Sequence, residues 1–194
     1  EQNNEAETWN KDVEYFKISD ETNKQIAAFF LDPYIRPENK SGGAWMDSCI
    51  TKSKYTDENI PVAYLICNGT KPVDDKPSLM SFSDVVTLFH EFGHGLQHML
   101  TTVEIQDISG INGVEWDAVE LPSQFMENWC YHESTLREMA VHYENSEKMD
   151  DTMLQNLLKK KNYNAGMSTM RQIAFSKLDL KLHSEWEDIT DIWK

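Results

Sequence analysis

Apolar and polar positions divide the chain into two stretches of different period. Residues 13–18 and 25–31 are short runs rich in β-branched and aromatic side chains, among them Val13, Tyr15, Phe16, Phe29 and Phe30, separated by the polar stretch 19–24. That pattern predicts two strands of a hairpin with a longer loop. Asp32-Pro33 and Arg36-Pro37 end the second run, and Ser41-Gly42-Gly43 reads as a flexible turn before Ala44-Trp45-Met46. Residues 62–67 make a third strand candidate, followed by a Pro- and Asp-containing loop over 68–77. After residue 80 the period becomes helical. Ser81-Phe82-Ser83-Asp84 has the form of a capping box, and an apolar-rich helix is expected to continue through Leu100.

Residues 101–114, with Gly110 and Gly113, read as a loop. A second long helix is expected from about Asp117 to His142, with Pro122 kinking it or sitting in its first turn. Residues 150–161 predict a short amphipathic helix with Leu154, Leu157 and Leu158 on one face. Tyr163, Met167, Met170, Ala174 and Leu178 follow at helical spacing, whereas 178–182 alternate with period two and fit either element. These stripes are expected to pack in a core, and the polar first ten residues are expected to fray. The predicted fold is mainly α with a small N-terminal β-layer (α+β), a β-rich segment over 1–80 preceding a helical segment over 81–194.

A length of 194 residues suits one ordinary domain or part of a larger one. With 18 Lys+Arg against 33 Asp+Glu, the formal charge of −15 argues against nucleic acid or an anionic membrane as partner, because phosphate would be repelled. Cys49, Cys67 and Cys130 are too few for a disulfide framework and have no Cys-x-x-Cys spacing, so they are expected to be small buried thiols in a reducing compartment. No apolar run reaches membrane-spanning length. The first residues hold neither a signal-peptide pattern nor an initiator Met, and the expectation is a piece of a longer gene product. Asn68-Gly69-Thr70 matches a glycosylation sequon but is read as a turn.

The chemistry is concentrated in His90-Glu91-Phe92-Gly93-His94. Residues four apart share a helix face one turn apart, so two imidazoles can converge on one cation, and neutral imidazole is a good ligand for Zn²⁺. Glu91, about 100° further round the helix, falls beside such a metal, where it can accept a proton from water. Two histidines on a solvated face would be the bland alternative, but Val85, Val86, Leu88, Phe89, Phe92, Leu96 and Leu100 surround the motif. Buried imidazoles need partners. Gly93 and Gly95 each cost about 1 kcal/mol in a helix interior, which makes sense where another backbone approaches closely. A third ligand six residues beyond His94 is ruled out, since Leu100 stands there. Downstream, Asp117, Glu120 and Glu127 are candidates. Glu120, in an apolar setting, is expected to complete a two-His, one-carboxylate site. Asp117, three residues earlier, suits an acceptor for a ligand imidazole N–H or, alternatively, a helix N-cap. Glu127 is left as a rim or salt-bridge residue.

His90-Glu-Phe-Gly-His94 followed by Trp116-Asp-Ala-Val-Glu120-Leu-Pro-Ser-Gln-Phe-Met-Glu-Asn-Trp129 closely resembles the thimet oligopeptidase and oligopeptidase A family of zinc metallopeptidases, and the second run is more similar to the oligopeptidase A branch. Gly42-Gly43-Ala44-Trp45-Met46, residues 61–68 and Lys161-Asn-Tyr163 extend the resemblance over nearly the whole chain. It implies one zinc ion per chain held by His90, His94 and Glu120, Glu91 as catalytic base, and Asp117 as the carboxylate orienting a ligand histidine. It also implies a zincin-like helix packed on a second ligand-bearing helix, within a fragment of a larger helical oligopeptidase and forming one partial catalytic domain. The implied activity is hydrolysis of short peptides by a monomeric protein in the cytoplasm, an organellar matrix or a stroma. Two departures follow. Gln97, followed by His98, stands where relatives often have a further His. The tyrosine- and glycine-rich segment that helps stabilise the tetrahedral intermediate, and the N-terminal helical part that walls the substrate channel, fall outside this sequence. Residues 62–67 are expected to offer a strand edge to a substrate. A non-catalytic, zinc-stabilised peptide-binding fragment is the alternative, disfavoured by Glu91, which a scaffold would not need.

Overall fold

In the computed structural model, which describes residues 1–2, 6–56 and 59–184, the early apolar runs form a four-stranded sheet. Residues 3–5 of the N-terminus expected to fray, and 185–194 of the segment expected to be helical, lie outside the described residues. The chain divides into two compact units, Glu1–Met139 and Ala140–Lys194.

The sheet belongs to the first unit. Its strands are β1 (Glu14–Ser19), β2 (Gln25–Tyr34), β3 (Trp45–Ile50) and β4 (Val62–Gly69), in the order β1-β2-β4-β3. β1 and β2 are the expected antiparallel hairpin, with the Asp20 carboxylate accepting the amides of Thr22 at 2.8 Å and Lys24 at 3.0 Å in the turn. β4 runs parallel to β2 and antiparallel to β3. β3 has no strand signature in the sequence, because Asp47 and Ser48 interrupt its apolar residues. It forms through pairing with β4. The consequence corrects one expectation: β4 is bonded on both sides, so residues 62–67 have no free edge, and among the described residues the open edge on that side belongs to β3. Asn68 and Gly69 close β4 rather than forming a separate turn, and the Asn68 amide donates to the carbonyls of Ser41 (3.0 Å) and Gly43.

At the end of β2, Asp32 is almost wholly buried and accepts hydrogen bonds from Arg36 Nη1 (2.7 Å), Lys40 Nζ (3.0 Å) and Trp9 Nε1 (3.0 Å). Lys40 also donates to the carbonyls of Tyr34 and Cys67, tying β2 to β4. The N-terminus is less free than its polarity suggests: Trp9 takes part in this cluster, and Gln2 bridges to Phe16 of β1.

Helix α1 (Phe82–Met99) begins with the expected capping box, Ser81 Oγ accepting the Asp84 amide at 3.2 Å and Asp84 Oδ2 accepting the Ser81 amide at 2.8 Å. It lies on one face of the sheet over a core of Ala27, Ala63 and Met99, with Phe29, Met46, Phe92 and Leu96 packed around them. Two alanines at the centre let the helix sit close to the strands. The single long helix expected over 117–142 does not form. Residues 115–120 are turns, α2 spans Leu121–Glu127, a 3₁₀ turn covers Asn128–Tyr131, and α3 spans Glu133–Met139. Pro122, which has no N–H, fits only the first turn of α2. At the other end, the Asn128 side chain donates to the carbonyls of Gln124 and Phe125, and His132 is extended.

The second unit holds α4 (Asp151–Lys160), capped by Asp150 accepting the Met153 amide at 2.8 Å, and α5 (Ala165–Ser184). The period-two stretch 178–182 is thus helical. The stripe expected in a core is largely exposed, with Tyr163, Met167 and Met170 each more than half accessible. Leu154 alone of its leucine trio is buried. Among the described residues no helix is long and apolar enough to cross a membrane.

Candidate metal centre

The helical spacing of His90 and His94 does what it predicts: both imidazoles point from α1 to one place. Their Nε2 atoms lie 3.1 Å and 3.2 Å from the same oxygen, Glu120 Oε2. Glu120 is brought there by the approach of α2 rather than by its apolar neighbours, since its side chain is about half exposed and Leu121 is 72% exposed. The approach depends on Gly93. A Cβ at that position would stand 2.6 Å from both the Pro122 carbonyl oxygen and Ser123 Cα. Ser123 then fixes Glu120, its hydroxyl donating to Glu120 Oε2 at 2.8 Å.

The donor set fits a divalent cation such as zinc. Ligand atoms about 2.0 Å from a tetrahedral metal stand roughly 3.3 Å apart, close to the observed separations. The tautomer points the same way. His90 Nδ1 donates to Glu127 Oε1 at 2.7 Å, so in a neutral ring Nε2 carries a lone pair. That lone pair faces the carboxylate oxygen of Glu120, a repulsive contact unless His90 is protonated or a cation lies between them. His90, His94 and Glu120 are the one group of three such side chains among the described residues whose ligand atoms lie within 4.8 Å of one another.

Glu91 is 6% exposed and sits beside the pair. Burial and the nearby Glu120 charge raise its pKa, against the opposing influence of His90 and the nearby Met46 amide of β3. A carboxylate raised in this way is a better proton acceptor near neutral pH. Burial lowers the pKa of His94, keeping its ring neutral and available as a ligand. At Glu120 burial acts upward, but the Ser123 hydroxyl and both imidazoles prevail and lower its pKa.

Asp117 and Glu127 differ from the sequence reading. Residues 117–120 form a turn, so Asp117 does not share a helical face with Glu120; it is exposed and makes no hydrogen bond to either imidazole. The N-cap of α2 is Glu120, without a side-chain cap, rather than Asp117. The carboxylate that reaches His90 is Glu127, at the C-terminal end of α2. Its i+7 spacing from Glu120 was the available signal, since residues two helical turns apart share a face. His98 is fully buried and donates from Nε2 to the Ile50 carbonyl at 3.0 Å, outside the metal cluster. Gln97 turns its amide to the Gly110 carbonyl at 3.4 Å.

The profile of Peptidase family M3 matches residues 1–193. Oligopeptidase A of Haemophilus influenzae is 50% identical over 184 residues, covering 94% of this chain and 27% of the relative. Organellar oligopeptidase A, chloroplastic/mitochondrial, of Arabidopsis thaliana is 48% identical over 186 residues, covering 93% and 24%. A more distant relative, dipeptidyl carboxypeptidase of Salmonella typhimurium, is 34% identical over 183 residues, covering 94% and 26%. The chain spans about a quarter of the length of these curated relatives.

Proposed function

This chain belongs to peptidase family M3, and we propose that it carries the zinc-binding catalytic core of an oligopeptidase of the oligopeptidase A type, which hydrolyses short unstructured peptides. The observation that carries this reading is the convergence of His90, His94 and Glu120 beside the buried carboxylate of Glu91. His90, His94 and Glu120 would hold one Zn²⁺, leaving a position open. When bound, zinc supplies Lewis acidity, polarising a carbonyl and lowering the pKa of water.

Glu91 takes the proton from the attacking water and returns it to the leaving amine as the peptide bond breaks. Its burial keeps bulk water from competing for that proton. The proximity of Met46 to Glu91 supports a reading of β3 as the strand that faces substrate. β3 is paired on one side only, by β4, and along it the Ser48 amide is met by the neighbouring Asp47 Oδ1 at 2.8 Å. A peptide laid antiparallel along the free edge of β3 would exchange main-chain hydrogen bonds there, in place of the edge expected at residues 62–67.

The test uses the whole natural protein, with metal analysis and a quenched-fluorescent peptide assay with and without chelator. Stoichiometric zinc and chelator-sensitive cleavage are expected. Glu91→Gln should keep the zinc and lose turnover by at least a thousandfold, on the order of what removal of a general base costs. Zinc binding without cleavage in the wild type would favour a non-catalytic peptide-binding module instead, and cleavage retained in Glu91→Gln would overturn the base assignment.

A further inference from the structure

Two side chains of α1 meet the edge strand β3, and only one of them belongs to the candidate metal site. Glu91 lies beside the amide of Met46, and His98, seven residues later, donates from Nε2 to the carbonyl of Ile50 at 3.0 Å. Seven helical residues advance about 10.5 Å, and the four residues from Met46 to Ile50 advance about 13 Å. β3 therefore runs alongside α1 in the same direction, with Glu91 beside one end and His98 bonded to the other.

The far end is built around His98. The β3–β4 register shifts between Ser48 and Ile50, which frees the local backbone from a regular ladder just where His98 meets it. His98 is wholly buried, and its Nδ1 has no hydrogen-bond partner among the described residues. Gly110, at φ +67°, presses on the other side of the ring: a Cβ there would lie 2.5 Å from His98 Nδ1. Loop 101–113 is in turn joined to the segment after β3, with Lys54 N donating to the Glu104 carbonyl at 3.0 Å and Lys52 Nζ to the Thr101 carbonyl at 3.2 Å. An imidazole left with an unpartnered nitrogen is costly, and what it holds in return is the end of the open edge.

We infer that His98 is a positioning residue for substrate, setting the part of β3 that binds residues on the N-terminal side of the cleaved bond. The inference rests on the reading of β3 as the peptide-accepting edge. Direction follows from topology. A peptide antiparallel to β3, with its reacting bond beside Glu91 and Met46, extends its N-terminal residues toward Ile50 and its C-terminal residues toward Trp45. His98 thus governs length preference on one side of the bond only.

The experiment compares wild type with His98→Gln, His98→Asn and His98→Met in the whole natural protein, each zinc-loaded, on quenched-fluorescent peptides lengthened stepwise on either side of the cleaved bond. Gln places its amide nitrogen where His places Nε2 and keeps the Ile50 bond. Asn reaches only to the Nδ1 position, and Met fills the volume without a donor. For the longest N-terminally extended peptide, Met and Asn should raise KM about tenfold, the value of one or two lost edge hydrogen bonds, with kcat changed less than twofold. Gln should retain the wild-type KM. Extension on the C-terminal side should be insensitive to all three. Hydrogen exchange at the amides of residues 47–51 should quicken in Asn and Met but not in Gln. Equal KM gains on both sides, or Asn indistinguishable from Gln, would overturn the assignment even if Met fails to fold. Absence of chelator-sensitive cleavage by wild type would instead remove the peptidase reading, and this proposal with it.

Discussion

Gly93 of α1 and Pro122 of α2 are in backbone contact: a Cβ on Gly93 would stand 2.6 Å from the Pro122 carbonyl oxygen. No side chain can turn aside to relieve that approach, because the second partner at 2.6 Å is the Ser123 Cα. Two residues before Pro122 is Glu120. The absence of one methyl group on α1 therefore sets how near the carboxylate comes to His90 and His94.

Gly93→Ala should accordingly act on the metal as well as on stability. The helix propensity gained, about 1 kcal/mol, is outweighed by about 1–3 kcal/mol of overpacking, and the retreat of α2 should weaken zinc binding at least tenfold. Gly95→Ala is the comparison, since its Cβ would meet the flexible Leu65 side chain at 3.0 Å; it should leave zinc affinity within a few-fold. Chelator-competition titrations together with thermal midpoints would test this. Unchanged zinc affinity in Gly93→Ala would show that Glu120 is held by something else.

Glu127, accepting from His90 Nδ1 at 2.7 Å, should orient that ring and keep Nε2 as its free nitrogen. Glu127→Gln keeps an acceptor but loses the charge, and zinc affinity should fall about 10- to 100-fold, the usual cost of removing such a partner. Asp117→Asn, altering an exposed residue on the preceding turn, should have a much smaller effect. Titration of both variants at one fixed pH decides between them; the larger loss in Asp117→Asn would return the orienting role to Asp117.

Asp32 should make the protein acid-sensitive at a site remote from the chemistry. Burial acts to raise its pKa, but Arg36, Lys40 and Trp9 together hold it at about 2, from 3.8. A carboxylate depressed on folding is protonated more readily when unfolded, so its contribution is present above pH 4 and is lost as pH falls from about 4 through about 2. The shift corresponds to about 2 kcal/mol. Asp32→Asn, which leaves Arg36 and Lys40 buried without their anion, should cost about 3–5 kcal/mol near neutral pH. Unfolding curves of both proteins against pH should converge below pH 4, and a difference independent of pH would show that packing, not charge, is responsible.

Much of this was legible in the chain because it is local. The period of a helix brings His90 and His94 to one face whatever surrounds them, and Ser81 and Asp84 begin that helix through bonds within one turn. Apolar, β-branched runs made β1, β2 and β4 readable. β3 was not, because Asp47 and Ser48 conceal it and only β4 makes it a strand. The helix expected over 117–142 failed because Pro122 has no N–H with which to continue a helix begun at 117 and the Asn128 side chain takes the carbonyls of Gln124 and Phe125, and with it went the shared face that had recommended Asp117. The exposed stripe of Met167 and Met170 shows the limit of spacing: periodicity tells which residues lie together, not what covers them.

The sequence by itself thus determined the two imidazoles, the carboxylate beside them and the family. Only the tertiary structure brought Glu127, rather than Asp117, to His90 and put β3 rather than β4 at the edge of the sheet. Ligands on one helix are related by a fixed rise and rotation, whereas Glu120, Glu127 and β3 arrive through the packing of separate elements, governed by contacts such as Gly93 on Pro122 that no spacing along the chain encodes.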